Sequence, residues 1–517
     1  MRRLCCWGGI EMQTPYAVSF RNGQSLAVGE IPVIPIERFR DSVIAAVGGG
    51  GRIASFFAVP ADGAGVRLYA VLADDGQGTL SVLSCDVQDR YPSLTPDCPQ
   101  AHLFEREIAE QWGVVPEGHP WLKPVRFHAP FDGRRDVWGR RREQILPSVM
   151  KYFQVEGHEV HEVAVGPVHA GIIEPGHFRF QCHGEIVLHL EISLGYQHRG
   201  IEEAILRGPE KRLLPFMQTV AGDTSIGHTT AYCQLRESLA GGCVPPKAQA
   251  IRGIALELER LANHTGDLGA LAGDIGYLPT SSFCGRIRGD FLNMSALLCG
   301  NRFGRGLAVP GGVCFDLTPK TAETLAERLT AAKKDVSTAV NLLWNTPSVL
   351  ARFEDTGVVQ SSICRELGMV GVPARACGIA MDCRADFPTG IYQTSPIAVS
   401  VWEKGDVFGR AYVRWLEIQK SIDFILGLLA SFPEGPIRTE MKPPATNLFC
   451  VSLVEGWRGE ICHAAITAAD GSFRRYKIVD PSFHNWMGLA MALREQQISD
   501  FPLCNKSFNL SYCGHDL

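Results

Sequence analysis

A chain of 517 residues with 45% hydrophobic and 20% charged residues has the composition of a globular protein of several domains. Its formal net charge of -5, from 50 Lys+Arg against 55 Asp+Glu, argues against general nucleic-acid binding and against a surface built to lie on anionic lipid. The 17 cysteines are too sparse for a disulfide scaffold, and no two of them form the C-x-x-C pair that zinc and cubane cluster sites usually use.

The opening MRRLCCWGGIEM is no secretory signal, its apolar stretch being short and broken by glycine, and Met12 is an alternative start to Met1. From 31 to 130 the pattern predicts a compact α/β domain. Ile53-Ala-Ser-Phe-Phe-Ala-Val59 and Val66-Arg-Leu-Tyr-Ala-Val-Leu72 read as strands, and Leu103 to Trp112 reads as a helix. Gly48 to Gly51 lacks a G-K-[ST] ending and a dinucleotide fingerprint, so it is expected to be a flexible hairpin connection and not a phosphate loop. The stretch 131–154, with its basic run Arg134 to Arg142, has the composition of an exposed linker.

The second unit, 155–517, opens with strand-like runs around Val163 and Ile172, separated by Gly166-Pro167, and another at Ile186 to Leu190. Helical periodicity then takes over. Ile254, Leu258 and Leu261 recur at i, i+4 and i+7 and leave Glu257, Arg260 and His264 elsewhere on the cylinder. Further amphipathic helices are predicted over Ala322 to Trp344 and Ala411 to Leu429, and strands plus a last helix after Val451 and before Phe501. The longest aliphatic-rich stretch, Ile422 to Phe432, is about half of the ~20 residues a membrane helix needs and reads as a core helix. Most cysteines read as small buried apolar residues; Cys377 and Cys383 are close in sequence but lack a second close thiol.

Several segments are specific enough to carry a resemblance. Phe104-Glu-Arg-Glu-Ile-Ala-Glu-Gln-Trp112 and its Gly/Pro-rich continuation to Arg126 resemble the signature of the complex I 30 kDa subunit. Val165-Gly-Pro-Val-His-Ala-Gly171, Leu194-Gly-Tyr-Gln-His-Arg-Gly-Ile-Glu-Glu203, Glu259-Arg-Leu-Ala-Asn-His264 and Pro310-Gly-Gly312 resemble the complex I 49 kDa subunit and the [NiFe] hydrogenase large subunit. The fusion in this order is similar to the large subunits of membrane-bound group 4 hydrogenases of the formate hydrogenlyase and hydrogenase-4 type. The resemblance implies an α+β chain: an N-terminal extension (1–30), a 30 kDa-like α/β domain (31–130), a linker (131–154) and a mainly helical-bundle 49 kDa-like domain (155–517).

Active members of that family bind nickel and iron through four thiolates, because soft, deprotonated sulfur gives nickel its redox range and bridges the two metals. Aligned on Gly222 and His228, the first ligand motif falls on Thr219 to Thr229, and its ligand positions become Ala221 and Thr224. The second falls on Ser507 to Leu517, with Ser507, Tyr512 and Asp516 in register, and its ligand positions become Ser511 and Gly514. Shifting the frame by one would recover a single thiol, Cys513, and one thiol cannot hold a binuclear centre. The chain is therefore expected to bind no nickel. It is also expected to need none of the C-terminal tail that is removed from hydrogenase precursors after metal insertion.

The resemblance assigns three catalytic candidates. Glu202 matches a proton-relay glutamate, which would need a raised pKa; the bland alternative is a helix-face carboxylate paired with Arg199 or with a partner subunit. His169 matches a histidine near the quinone head group in complex I, while the tyrosine that partners quinone there falls near Gly222; the alternative is a turn histidine. His228 lies beside the emptied cavity, with a supporting or a purely structural role. Asn263 and His264 read as helix-packing residues.

The implied function is that of an oxidoreductase subunit in a membrane-associated complex I-like or hydrogenase-related assembly, peripheral on the cytoplasmic face of the inner membrane. The chain itself is expected to hold no cofactor. A [4Fe-4S] cluster would sit in a small iron–sulfur partner, quinone stays open as a ligand, and the other partners would be antiporter-like and other integral membrane subunits, with no nucleic acid. Two other readings remain: an active [NiFe] hydrogenase, and a non-catalytic assembly scaffold.

Overall fold

The computed structural model describes residues 16–517 except 134, 142, 143, 148, 149 and 172; Met12 and Ile172 thus lie outside the described residues. Two short strands lead, β1 (Val18–Phe20) and β2 (Ser25–Ala27), followed by α1 (Ile36–Gly48), β3 (Arg52–Pro60), β4 (Val66–Asp74), β5 (Thr79–Val87) and α2 (His102–Trp112). The antiparallel sheet runs β1-β5-β4-β3. Phe39, Val43 and Ala46, at spacings of four and three, are the face that α1 buries. The continuously apolar β3 is buried nearly end to end because α2 and strands of a later sheet both pack on it.

Gly48 to Gly51 is not a hairpin connection. It ends α1 and enters β3: the Gly49 and Gly51 amides bond Ala45 O and Ala46 O, and Gly50 takes φ +101, which closes the helix as a side chain could not. The linker expected to be exposed is partly folded in. Asp136 is buried and accepts from Arg140 Nε at 2.8 Å, and Val137 N bonds Ala109 O, the last turn of α2.

The second unit opens with β6 (Val160–Val165), β7 (His177–His183) and β8 (Ile186–Ser193) in the order β8-β7-β6. Then come α3 (Ile201–Arg207), α4 (Ser225–Leu239), α5 (Pro246–Asp274), α6 (Leu278–Cys299), α7 (Pro319–Trp344) and α8 (Val407–Ala430). The long α5 is the centre of the bundle, packed against α6 and α8. Its polar side is as buried as its apolar side: Glu257, Arg260 and His264 are each 0% exposed. They survive burial because each charge is paired. Glu257 accepts from Arg384 and Arg260 (both 3.1 Å), Tyr392 OH (2.6 Å) and Ser421 Oγ (2.5 Å), while Glu417 takes His264 Nε2 at 2.8 Å and Arg375 Nε at 2.9 Å.

The chain closes with β9 (Leu448–Glu455), β10 (Glu460–Thr467), β11 (Phe473–Val479), α9 (Pro481–Ala492), α10 (Phe501–Phe508) and α11 (Tyr512–Asp516). The helix expected before Phe501 is α9; α10 and α11 follow it. The sheet order is β11-β10-β9-β2, so residues of the expected N-terminal extension complete it, Leu26 opposite Phe449. Phe449 also touches Phe20 and Tyr69 (ring centroids 6.0 and 6.2 Å), and the first and last sheets share one apolar core. Each fully buried Phe, Val, Leu or Ile there contributes ~1.5–3 kcal/mol. Among the described residues no helix is long and apolar enough to cross a membrane.

Candidate functional site

The loop that enters α4 carries Ala221 and Thr224, both buried. It is clamped from three sides. Arg458, stacked over Trp457 (3.9 Å to the ring centroid), donates to both carboxylate oxygens of Asp223 (2.6 and 2.8 Å) and to Thr224 Oγ1 (3.3 Å). Trp457 Nε1 and Asn263 Nδ2 each donate to Asp223 O at 3.0 Å. Glu259, on α5, accepts the Ile226 and Gly227 amides at the start of α4 (2.7 and 3.1 Å). Burial nevertheless pushes the Glu259 carboxyl up to about 8, with Asp223 adding to the shift and the two amides opposing it.

The second degenerate pair lies on α11. Ser511 Oγ caps the helix by accepting from Gly514 N at 2.9 Å, and Ser511 N donates to Ser482 Oγ at 2.8 Å. A Cβ on Gly514 would stand 2.7 Å from Asp480 Oδ2 and 2.9 Å from Ser511 Oγ, so a larger residue there must displace them. Asp480 caps α9 through Ser482 N (2.8 Å) and accepts from His228 Nε2 at 3.0 Å. Burial opposes its charge, but the bond from the His228 ring and the charge of Arg458 hold its carboxyl below the usual range. The chain of contacts continues from His228 Nδ1 to His463 Nε2 (3.1 Å) and from His463 Nδ1 to Tyr476 OH (2.8 Å), all of it buried. Burial and the neighbouring His228 ring push the His463 ring well down, toward the neutral form.

These residues do not fit a nickel–iron centre. Ala221 and Gly514 offer no donor atom, the Thr224 and Ser511 hydroxyls are committed to Asp223 and to the helix cap, and the space at Gly514 is taken by Asp480. Cys513 lies 3.5 Å from Ser511 Oγ, and burial with Glu174 nearby pushes its thiol up to about 11, so it is a poor ligand. Among the described residues no group of three or more His, Cys, Asp or Glu side chains converges as a metal site would. Cys377 and Cys383 have separate surroundings, the first bonded to Val359 O (3.3 Å), the second to Glu460 Oε2 (3.1 Å).

Glu202 is buried, but its pKa runs opposite to the raised value a relay would need. Burial alone would raise it; Lys477, Arg475 and Arg126 together outweigh that, and the Ile478 amide (3.0 Å) adds to them, so the carboxylate stays ionised. Lys477 lies at 3.1 Å and Arg475 at 2.9 Å. Its partner is not Arg199, which donates to Thr219 O and Val220 O. Lys477 also holds Glu107 of α2 at 2.6 Å, and Glu107 pairs with Arg126. Burial brings Lys477 down to about 7, against the pull of Glu202. The charged residues of the Phe104–Arg126 segment are thus glue between the N-terminal unit and β11.

His169 is half-buried in the turn between β6 and β7, where its Nε2 bonds Gly176 O at 2.8 Å and its ring meets Phe178 edge-on. Gly176 in turn packs on Tyr512, and the Tyr512 amide donates to Glu174 (3.1 Å), which brings this turn to α11. A Cβ at Gly222 would meet nothing within 4 Å, so space exists at that position although the tyrosine does not. Of the three sequence candidates, His228 is tied to the degenerate ligand positions through Asp480. Glu202 is bound to β11 on another side, and His169 is joined through Gly176 and Tyr512. Sequence reasoning missed Asp480, His463, Tyr476, Asp223, Arg458 and Lys477. Asp480-Pro481 was readable as a helix start, but nothing in the chain foretells that its carboxylate meets His228.

Fold and site together define an oxidoreductase large subunit of the complex I and [NiFe] hydrogenase type in which none of the four metal-ligand positions carries a thiol and one of them, Gly514, is crowded by Asp480. The family described as respiratory-chain NADH dehydrogenase, 49 Kd subunit, matches residues 274–516, and the 30 Kd subunit family matches residues 66–142. Formate hydrogenlyase subunit 5 of Escherichia coli (strain K12) is 30% identical over 438 residues, 82% of this chain and 77% of that protein. The carbon monoxide-induced hydrogenase of Rhodospirillum rubrum is 30% identical over 348 residues, 67% of this chain and 96% of that protein. A solved structure of the membrane-bound sulfane sulfur reductase, an archaeal respiratory membrane complex, shares the fold with a TM-score of 0.64 at 22% identity, covering 69% of this chain and 99% of that one. The chain belongs to this family of hydrogenase and complex I large subunits, in its form with the 30 kDa-like domain fused ahead of the 49 kDa-like domain.

Proposed function

We propose that the chain is the large peripheral subunit of a membrane-associated oxidoreductase complex, working without a nickel–iron centre of its own. Electrons come from a [4Fe-4S] cluster in a small partner subunit and pass to quinone, or drive ion movement in antiporter-like membrane subunits. The complex places the chain on the cytoplasmic face of the membrane. The observation that carries this reading is Asp480: its carboxylate stands where a thiolate at position 514 would need to be, while the fold around it is kept.

The test is the intact complex purified with its membrane subunits and driven by reduced viologen. Quinone reduction or ion uptake into vesicles is expected, with nickel far below one per chain. Hydrogen evolution accompanied by about one nickel per chain would establish the hydrogenase reading instead. Turnover untouched by both Glu202→Gln and His169→Ala, at full assembly, would favour a scaffold.

A further inference from the structure

The buried contacts of Asp480, His228, His463 and Tyr476 take a single direction when both rings are neutral. An ionised Asp480 only accepts, so His228 Nε2 must carry the proton of the 3.0 Å bond. In the neutral ring His228 Nδ1 is then an acceptor, and the 3.1 Å contact requires His463 Nε2–H to donate to it. His463 Nδ1 is left as an acceptor, which the Tyr476 hydroxyl fills at 2.8 Å. With both rings neutral one arrangement of protons satisfies all three bonds, whereas an imidazolium at His228, donating at Nδ1 as well, would reverse the two outer bonds; none of these buried atoms is left without a partner.

One end of the chain, Asp480, abuts Gly514, one of the four degenerate ligand positions. At the other end, the Tyr476 ring packs edge-on against Phe473 (centroids 5.1 Å apart), and Phe473 lines an open groove of ≈ 940 Å³ together with Arg236, Glu210 and Arg438. The outer end is one side chain from the groove.

We propose that these four residues form a proton relay from the groove side to the degenerate ligand positions, crossing the space between α4 and the last sheet. The Tyr476 O–H proton passes to His463 Nδ1, the His463 Nε2 proton to His228 Nδ1, and the His228 Nε2 proton to Asp480 Oδ2. One O–H bond breaks at Tyr476 and one forms at Asp480. Both imidazoles exchange tautomers and stay neutral, and the negative charge moves from carboxylate to phenolate until Tyr476, itself buried, is reprotonated from the groove side past Phe473. The direction reverses when the proton source is at the Asp480 end. Delivery of a proton toward the reduced acceptor on that side is the use this gives the relay, and that use rests on the function proposed above.

Two measurements test the relay. In the full chain labelled with [15N]histidine, solid-state NMR with His228→Gln and His463→Gln as assignment controls is expected to show both rings neutral and protonated at Nε2. An imidazolium, or an Nδ1–H tautomer at either ring, overturns the wiring. In the intact complex driven by reduced viologen, Tyr476→Phe, which keeps the ring and loses only the hydroxyl, is expected to slow acceptor reduction by about tenfold or more and to raise the solvent isotope effect. His463→Gly is expected to be slowed likewise and rescued by added imidazole. Unchanged turnover and isotope effect in Tyr476→Phe overturn the relay while leaving the proposed function standing. Failure of the wild-type complex to reduce any acceptor sinks the proposed function, and the tautomers then decide the relay alone.

Discussion

The Asp480 carboxylate occupies the space into which a side chain on Gly514 would grow, a Cβ there standing 2.7 Å from Oδ2. The misfit of these residues to a nickel–iron centre is therefore more than four missing thiols. Adding thiols back would meet a carboxylate that is already bonded to His228 and to the start of α9.

That relationship sets the first expectation. Replacing Ala221, Thr224, Ser511 and Gly514 together with cysteine leaves nickel far below one per chain by elemental analysis. Gly514→Ala alone destabilises the protein by about 1–3 kcal/mol in denaturant titration, as overpacking does. In an Asp480→Ser background, which keeps a hydroxyl cap for α9, the cost of Gly514→Ala shrinks. Equal costs in the two backgrounds would show that the two residues do not compete for space.

Glu202 is locked in its ionised form, so its first role is to neutralise buried cations. Glu202→Gln is expected to lower the thermal midpoint near neutral pH, because Lys477 and Arg475 lose their countercharge. A folded pKa held below the unfolded one gives stability that is present above the unfolded value and is lost as pH falls through the folded one. The gap between wild type and variant should hence be full above about 4.5 and narrow on acidification. A gap that widens as pH falls contradicts the ionised state.

Glu259 has the opposite sign. With its carboxyl at about 8 in the fold against an ordinary 4.5, the stability tied to its protonated form is complete below about 4.5 and is lost as pH rises toward 8. The loss runs at up to about 1.4 kcal/mol per pH unit inside that window. The difference in unfolding free energy between wild type and Glu259→Gln, followed from pH 4.5 to 8, isolates this group from all others. A difference independent of pH across the window would place the Glu259 pKa near its ordinary value.

Arg375, fully buried, faces three carboxylates: Glu455 at 2.8 Å, Glu417 at 2.9 Å and Asp382 at 3.7 Å. Arg375→Met keeps most of the volume and removes the charge, and is expected to cost about 3–5 kcal/mol, the usual penalty for stranding one side of a buried pair. Circular dichroism during urea unfolding would register it as a lower midpoint. A loss below about 1 kcal/mol would mean that the cluster readily takes up a proton in place of the guanidinium.

The helical core is legible in the sequence because its signals are local. The helix over 411–429 is read within a few residues of the observed Val407–Ala430; the missing turn lies behind Asp406, whose side chain caps the Gly409 amide at 2.7 Å. Likewise Pro319 and the Thr318 cap extend the helix read from 322. The four ligand positions are legible too, being a matter of residue identity against a known spacing. What escapes is everything decided by partners far along the chain. Glu257, Arg260 and His264 lie off the apolar stripe, and nothing local says that Arg384 and Glu417 are brought against them. The charge state of Glu202 depends on β11. His228 and His463 meet because α4 lies on β10, which no periodicity announces.

The pairing of β2 with β9 bears on how the molecule comes to exist. Leu26 and Phe449 are neighbours in one ladder although most of the chain separates them, so that ladder closes only after the intervening bundle has brought its two ends together, a slow and entropically costly event. A fragment holding 155–517 alone would present the β9 edge and Phe449 to water, an invitation to pair with another copy. The 30 kDa-like and 49 kDa-like halves, which match two separate families, are in this chain a single unit of production: made apart, each lacks the strand or the apolar cover that the other provides.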